Sequence, residues 1–102
     1  MNIDDFQIHS LSTVALKKKD VAALAHRTLG LNGEAGILSN HIKKIIRDNN
    51  GKADAQDLAE IKKRLGDVLY YTAILAGYYN ITLSDIAEQN TAQSNQFKNN
   101  RK

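Results

Sequence analysis

Apolar residues along the chain fall into four stretches separated by short polar breaks, and the stretches carry a helical rather than an alternating period. The clearest is the third. Leu58, Ile61, Leu65, Val68, Leu69, Thr72, Leu75 and Ala76 recur at three- and four-residue steps, which places them on one side of a helix. Asp54 is its expected N-cap, with Asp57 three residues on, where an acidic side chain faces the unpaired N–H groups of the first turn. That helix is predicted to run to about Tyr79, where Asn80 breaks it. The second stretch predicts a helix from Val21 to about Asp48, capped by Asp20, with Leu24, Leu31, Leu38, Ile42, Ile45 and Ile46 as its apolar side. Asn49-Asn50-Gly51 ends it, since Asn and Gly tolerate the left-handed backbone of a helix C-terminus. A looser stripe of Ile3, Phe6, Ile8, Leu11, Val14 and Ala15 predicts a first helix over residues 3 to about 16, followed by the polar break Lys17 to Asp20. A fourth helix is expected from Ser84, with Ile86 and Ala87. Beyond about residue 91 only Ala92 and Phe97 are apolar, so the tail is expected to fray or to be disordered.

This pattern predicts an all-α protein in a single domain over residues 1–102. Two long helices joined by a short polar connection read as an antiparallel hairpin, with shorter helices at either end. One hairpin leaves a broad apolar face with little to cover it. Pairing hairpins into a four-helix-type bundle solves that, so a homodimer or homotetramer is expected.

Composition narrows the setting. With 102 residues the core is modest, and the 42% apolar and 25% charged fractions are those of a globular domain. The absence of proline favours long unbroken helices, and the absence of cysteine removes disulfides and thiolate metal sites, so a reducing cytoplasm is the expected location. No apolar run approaches a membrane span, and Asp4 and Asp5 near the N-terminus do not suit a secretory leader. The net charge of +3 comes largely from Lys17-Lys18-Lys19, Lys43-Lys44 and Arg101-Lys102. A solvated helix surface explains it more simply than a nucleic-acid interface, which gathers basic residues and exposed aromatics on one face.

Two segments hold the candidate chemistry. The first is Leu29-Gly30-Leu31-Asn32-Gly33-Glu34-Ala35-Gly36-Ile37, in which three glycines at three-residue spacing suggest a bare strip for a close helix or a ligand. The second is Lys63-Arg64-Leu65-Gly66-Asp67-Val68-Leu69-Tyr70-Tyr71. Positions 34, 37, 38 and 41 share a face of one helix, and 60, 64, 67 and 71 share a face of the next.

Together with Ile42-Lys43-Lys44-Ile45-Ile46-Arg47-Asp48 and the stretch Ile81 to Asn90, these segments resemble the MazG-like nucleoside triphosphate pyrophosphohydrolases, over roughly Thr28 to Asn90. The resemblance implies an all-α, magnesium-dependent enzyme that hydrolyses a nucleoside triphosphate to monophosphate and pyrophosphate. That family places Glu-x-x-Glu on one helix and Glu-x-x-Asp on the next, so that four carboxylates converge on Mg²⁺, a hard cation that takes oxygen ligands. By position, Glu34 and Asp67 are then metal ligands, Lys43 or Lys44 faces phosphate with Arg64 as a further phosphate-binding candidate, and Asn90 lies near the nucleotide.

This chain departs from the pattern at two of the four acids. Ile37 and Arg64 stand where carboxylates belong, and the four positions together carry −1 instead of −4. Gln93 and Phe97 replace the Lys and Arg that often follow Asn90. Weak Mg²⁺ binding is therefore expected. Glu60 and His41, one turn from Arg64 and Ile37, are substitute ligands or else a solvated glutamate and a surface histidine. Arg64 itself either pairs with Asp67 or Glu34 or reaches out to solvent. The tyrosines at 70, 71, 78 and 79 are read chiefly as core or interface, with base stacking as the lesser alternative. Three functions follow: a pyrophosphohydrolase of weak or lost activity, a non-catalytic relative that binds a nucleotide or a partner, and, least favoured, a small basic nucleic-acid-binding protein.

Overall fold

The structure is a computed structural model that describes residues 1–14 and 20–100. Its four helices are α1 (Ile3–Ser12), α2 (Val21–Asn49), α3 (Ala55–Tyr78) and α4 (Leu83–Asn100), and the described residues hold no strand. The all-α expectation is met. The Lys17–Lys19 break lies outside the described residues.

Local chemistry sets the ends of the hairpin. Asp20 accepts from the Ala22 N–H at 2.9 Å and opens α2. Asp54 and Asp57 form a reciprocal capping box at the start of α3, with bonds of 2.8 and 3.1 Å. Between them Asn50 (φ 56°) and Gly51 (φ +81°) take the left-handed conformation, and their N–H groups return to Ile46 and Ile45. α2 and α3 then run antiparallel and make the main packing of the molecule. No helix among the described residues is long and apolar enough to cross a membrane.

α1 is shorter than its apolar stripe suggested, and it turns a different face inward. Gln7 and Ser10 are its buried residues, whereas Ile8 stays two-thirds exposed. The cause is a polar joint. Gln7 donates from Nε2 to the Ala73 and Ile81 carbonyls, at 3.2 and 2.9 Å, and accepts from the Leu83 N–H at 3.0 Å. The chain turns from α3 into α4 here, through Asn80 (φ 57°), and frees backbone groups that a helix would otherwise pair. A buried amide carrying both donor and acceptor satisfies them, which an isoleucine cannot. Asp4 takes the next orphan donor, the Ser84 N–H, at 3.0 Å. Phe6 closes the small core of Ala73, Ala76 and Leu83.

Two further expectations about α4 change. Its cap is Thr82, whose Oγ1 accepts from the Asp85 N–H at 3.2 Å, and Ser84 lies inside the first turn. The segment beyond residue 91 is helical to Asn100, although every residue from Asp85 to Asn100 is exposed. α4 packs chiefly against α1.

The chain is too open for its size. It exposes 7706 Å². A folded monomer of 11.3 kDa exposes about 5,700 Å². Its radius of gyration is 16.5 Å, against about 13 Å for a compact chain of this length. Part of the excess comes from the exposed α4, and part lies on apolar residues of the hairpin. Leu31, Ala35, Leu38, Ile42 and Ile46 on α2, with Leu58, Ile61, Leu65 and Leu69 on α3, recur at three- and four-residue steps along one side of the hairpin. Ile46 and Leu58 are exposed by 58% and 59%.

The Gln7 joint makes a measurable demand. Gln7→Ala removes three hydrogen bonds and leaves buried backbone groups unpaired, so it should cost about 3 kcal/mol at about 1 kcal/mol per bond. Urea denaturation measures it. A change within about 0.5 kcal/mol, the range of an ordinary surface substitution, would contradict the assignment.

Candidate functional site

The two motif segments meet across the α2–α3 seam. Glu34 on α2 and Arg64 on α3 lie opposite each other, and Arg64 Nη1 donates to Glu34 Oε2 at 3.3 Å. The same guanidinium donates from Nε to Glu60 Oε1 at 2.8 Å, one turn earlier on α3. The three side chains are mostly covered, Arg64 and Glu34 by nearly four-fifths. The hydrogen bond from Arg64 holds the Glu60 carboxyl below the ordinary carboxylate range, against the opposing effect of desolvation. In return the hydrogen bond to Glu60, with Glu34 contributing, raises the Arg64 guanidinium above its usual value.

Of the alternatives open in the sequence, Arg64 therefore pairs with Glu34 and not with Asp67, which makes no ion pair among the described residues. Glu60 is drawn into the seam rather than left as a solvated helix residue. His41 is half-buried rather than a surface histidine. Its Nε2 lies 3.3 Å from Asp57 Oδ1 on α3, without an aligned hydrogen bond. Asp57 is thus shared between the cap of α3 and the opposite helix. Helical spacing on either strand of the hairpin gave no sign of this pair, since only the register between α2 and α3 brings the two together.

The remaining predicted residues are more scattered. Ile37 is exposed by 46%. Lys43 and Lys44 are both exposed, and Lys44 borders a cleft at the hairpin turn with His41, Ile45, Asp48, Asn49, Asp54 and Asp57. Asn90 is exposed on α4, away from the main α2–α3 packing. Tyr71 lies over Gly30, and its ring meets Tyr70 edge-on with centroids 5.5 Å apart. The Tyr70 hydroxyl bonds Thr13 Oγ1 at 2.5 Å, which ties α3 to the end of α1.

The residues present do not fit the magnesium site that the family resemblance implies. Mg²⁺ requires about six oxygen ligands in near-octahedral array. Here one oxygen of Glu34 and one of Glu60 already accept from a guanidinium, and Ile37 has no donor atom. Among the described residues no three His, Asp or Glu side chains gather in a group able to hold a metal ion.

Against known proteins, the chain is 34% identical over 94 residues to the "Gene 37 protein" of Mycobacterium phage L5, covering 88% of this chain and 82% of that protein. The chain belongs to the same family as that protein. No family profile matches it, and no solved structure matches it.

The glycine strip divides into two parts with opposite demands. A β-carbon at Gly30 would lie 2.6 Å from the Tyr71 ring, whereas at Gly33 and Gly36 it would meet nothing within 4 Å. Gly33→Ala should therefore stabilise the protein by up to about 1 kcal/mol through helix propensity. Gly30→Ala should destabilise it, because an aromatic ring wedged between helices cannot yield as a flexible side chain does. Thermal melting of the two variants checks this, and shifts of the same sign would contradict it.

Proposed function

We propose that the protein is a MazG-like nucleotide pyrophosphohydrolase homologue that still binds a nucleoside triphosphate but whose magnesium-dependent hydrolysis is weak or lost. The observation that carries the reading is the meeting of the two motif segments at Glu34 and Arg64, 3.3 Å apart across the seam of a helical hairpin. Two of the four motif positions, 34 and 64, lie together there, and beside them Gly33 and Gly36 leave the α2 surface bare. Lys44 supplies a cation at the cleft by the hairpin turn, able to meet phosphate as a point charge. The lost acids at Ile37 and Arg64 argue for binding over turnover, because among the described residues no three His, Asp or Glu side chains gather in a group able to hold a metal ion. A reducing cytoplasm suits a cysteine-free nucleotide-binding protein.

The same reading takes the working unit as a homo-oligomer, with the homodimer as its smallest form. The excess of about 2,000 Å² over a compact monomer matches what each protomer of an obligate homodimer covers. The open face is built from two antiparallel helices of the same hairpin, so a second copy turned by a two-fold axis presents the same stripe and completes a four-helix bundle.

Isothermal titration with a nonhydrolysable nucleoside triphosphate tests the first part, alongside a pyrophosphate-release assay with Mg²⁺ and Mn²⁺. Saturable binding with little or no pyrophosphate release is the expected result. Absence of binding across all bases and sugars would overturn it, and turnover at an ordinary enzymatic rate would refute the claim of lost hydrolysis. Sedimentation equilibrium tests the second part. The protein should run as a dimer or larger, and Leu58→Glu with Leu65→Glu should shift it toward monomer. A compact wild-type monomer at micromolar concentration would contradict the assembly.

A further inference from the structure

We infer that the Arg64 guanidinium takes the place of a divalent cation in this hairpin, as a permanent internal cross-helix tie that makes the seam independent of Mg²⁺. The inference rests on positions 34, 37, 64 and 67 belonging to one site, but not on any nucleotide being bound there. Acidic side chains from two facing helices repel one another across a partly covered seam, and a cation between them relieves the repulsion. Arg64 supplies it from the chain itself. Its Nε lies 2.8 Å from Glu60 on its own helix and its Nη1 3.3 Å from Glu34 on the other, so one planar group spans the two helices. Three features make this group a lasting substitute. Arginine keeps its charge at every pH a protein tolerates. Its fork directs separate N–H groups at separate carboxylates, which a lysine does poorly. It also occupies the oxygens a metal would need, so a divalent ion reaching Glu34 would have to displace a guanidinium and then sit beside its positive charge. Asp67, one turn on, makes no ion pair among the described residues, and alone it offers a metal too little.

Ile37 fits the same account. With one cation of unit charge in the seam, a second carboxylate on α2 would be left uncompensated. Ile37, 46% exposed on α2, adds no further carboxylate for that single cation to meet.

The test is thermal melting of the wild-type protein and of Arg64→Gln, Arg64→Glu and Ile37→Glu/Arg64→Glu, each with and without millimolar Mg²⁺. The wild type should melt at the same temperature in both conditions. Arg64→Gln should melt lower by about 5 °C or more, with a smaller response to Mg²⁺ than the acidic variants. Arg64→Glu should melt lower still and recover with Mg²⁺, since a ligand that binds only the folded state raises its melting point. The double variant should show the largest Mg²⁺-dependent rise. A wild type stabilised by Mg²⁺ would overturn the inference, and so would Arg64→Gln melting with the wild type. If Arg64→Glu does not fold without metal, its refolding on addition of Mg²⁺ supports the inference, and failure to refold in either acidic variant counts against it. A wild type that binds no nucleotide yet gives this pattern of melting would remove the functional reading and leave Arg64 as the cation.

Discussion

Acidic side chains brought face to face inside a helical seam must be met by positive charge, and how this chain meets that requirement shapes the rest of its site. Glu34 enters the seam from α2 and Glu60 from α3, and Arg64 lies between them. The arrangement fixes the register of the hairpin at its middle, just as the capping box at Asp54 and the His41–Asp57 approach fix it nearer the turn. An exposed ion pair contributes little to stability on average. This one is more constrained than most, because one guanidinium serves two carboxylates and all three side chains are mostly covered. Its larger consequence is chemical: the oxygens that hold Arg64 are not free for a metal.

The hairpin leaves one apolar side uncovered. α2 and α3 bury residues such as Ile45 and Ile74 but leave the stripe from Ile46 and Leu58 to Leu69 open. α1 and α4 do not close that side. α1 is committed to the turn between α3 and α4, where Gln7 and Asp4 satisfy the first N–H groups of α4. α4 then projects with its last sixteen residues exposed, too polar a helix to hold its shape well alone. That open stripe is the surface on which the proposed second copy would be laid.

How much of this was legible in the sequence depended on how local each cause is. Asp20, Asp54, Asp57, Asn50 and Gly51 announced the helix ends, because capping acts within a few residues and uses side chains chosen for that task. The apolar period of α3 announced the hairpin. Gln7 could not be read, because its partners, Ala73, Ile81 and Leu83, lie more than sixty residues away. Burial of a polar residue over Ile8 makes sense only once those backbone groups are seen unpaired. Arg64 stood between readings: it could pair with Asp67 or Glu34 or reach out to solvent, and only the packed seam selects Glu34 and adds Glu60. His41 and Asp57 were each visible, but their pairing belongs to the register between helices.

The position of the Arg64 guanidinium is decisive, and NMR of its side chain reads this without any variant. In ¹⁵N-labelled protein the Arg64 Nε–H, bonded to Glu60, should give a distinct signal protected from exchange with water. A titration with Mg²⁺ to millimolar concentration should leave that signal in place, because the carboxylates stay with the arginine. A signal that shifts or begins to exchange rapidly as Mg²⁺ is added would show the metal displacing Arg64 and would contradict the central claim.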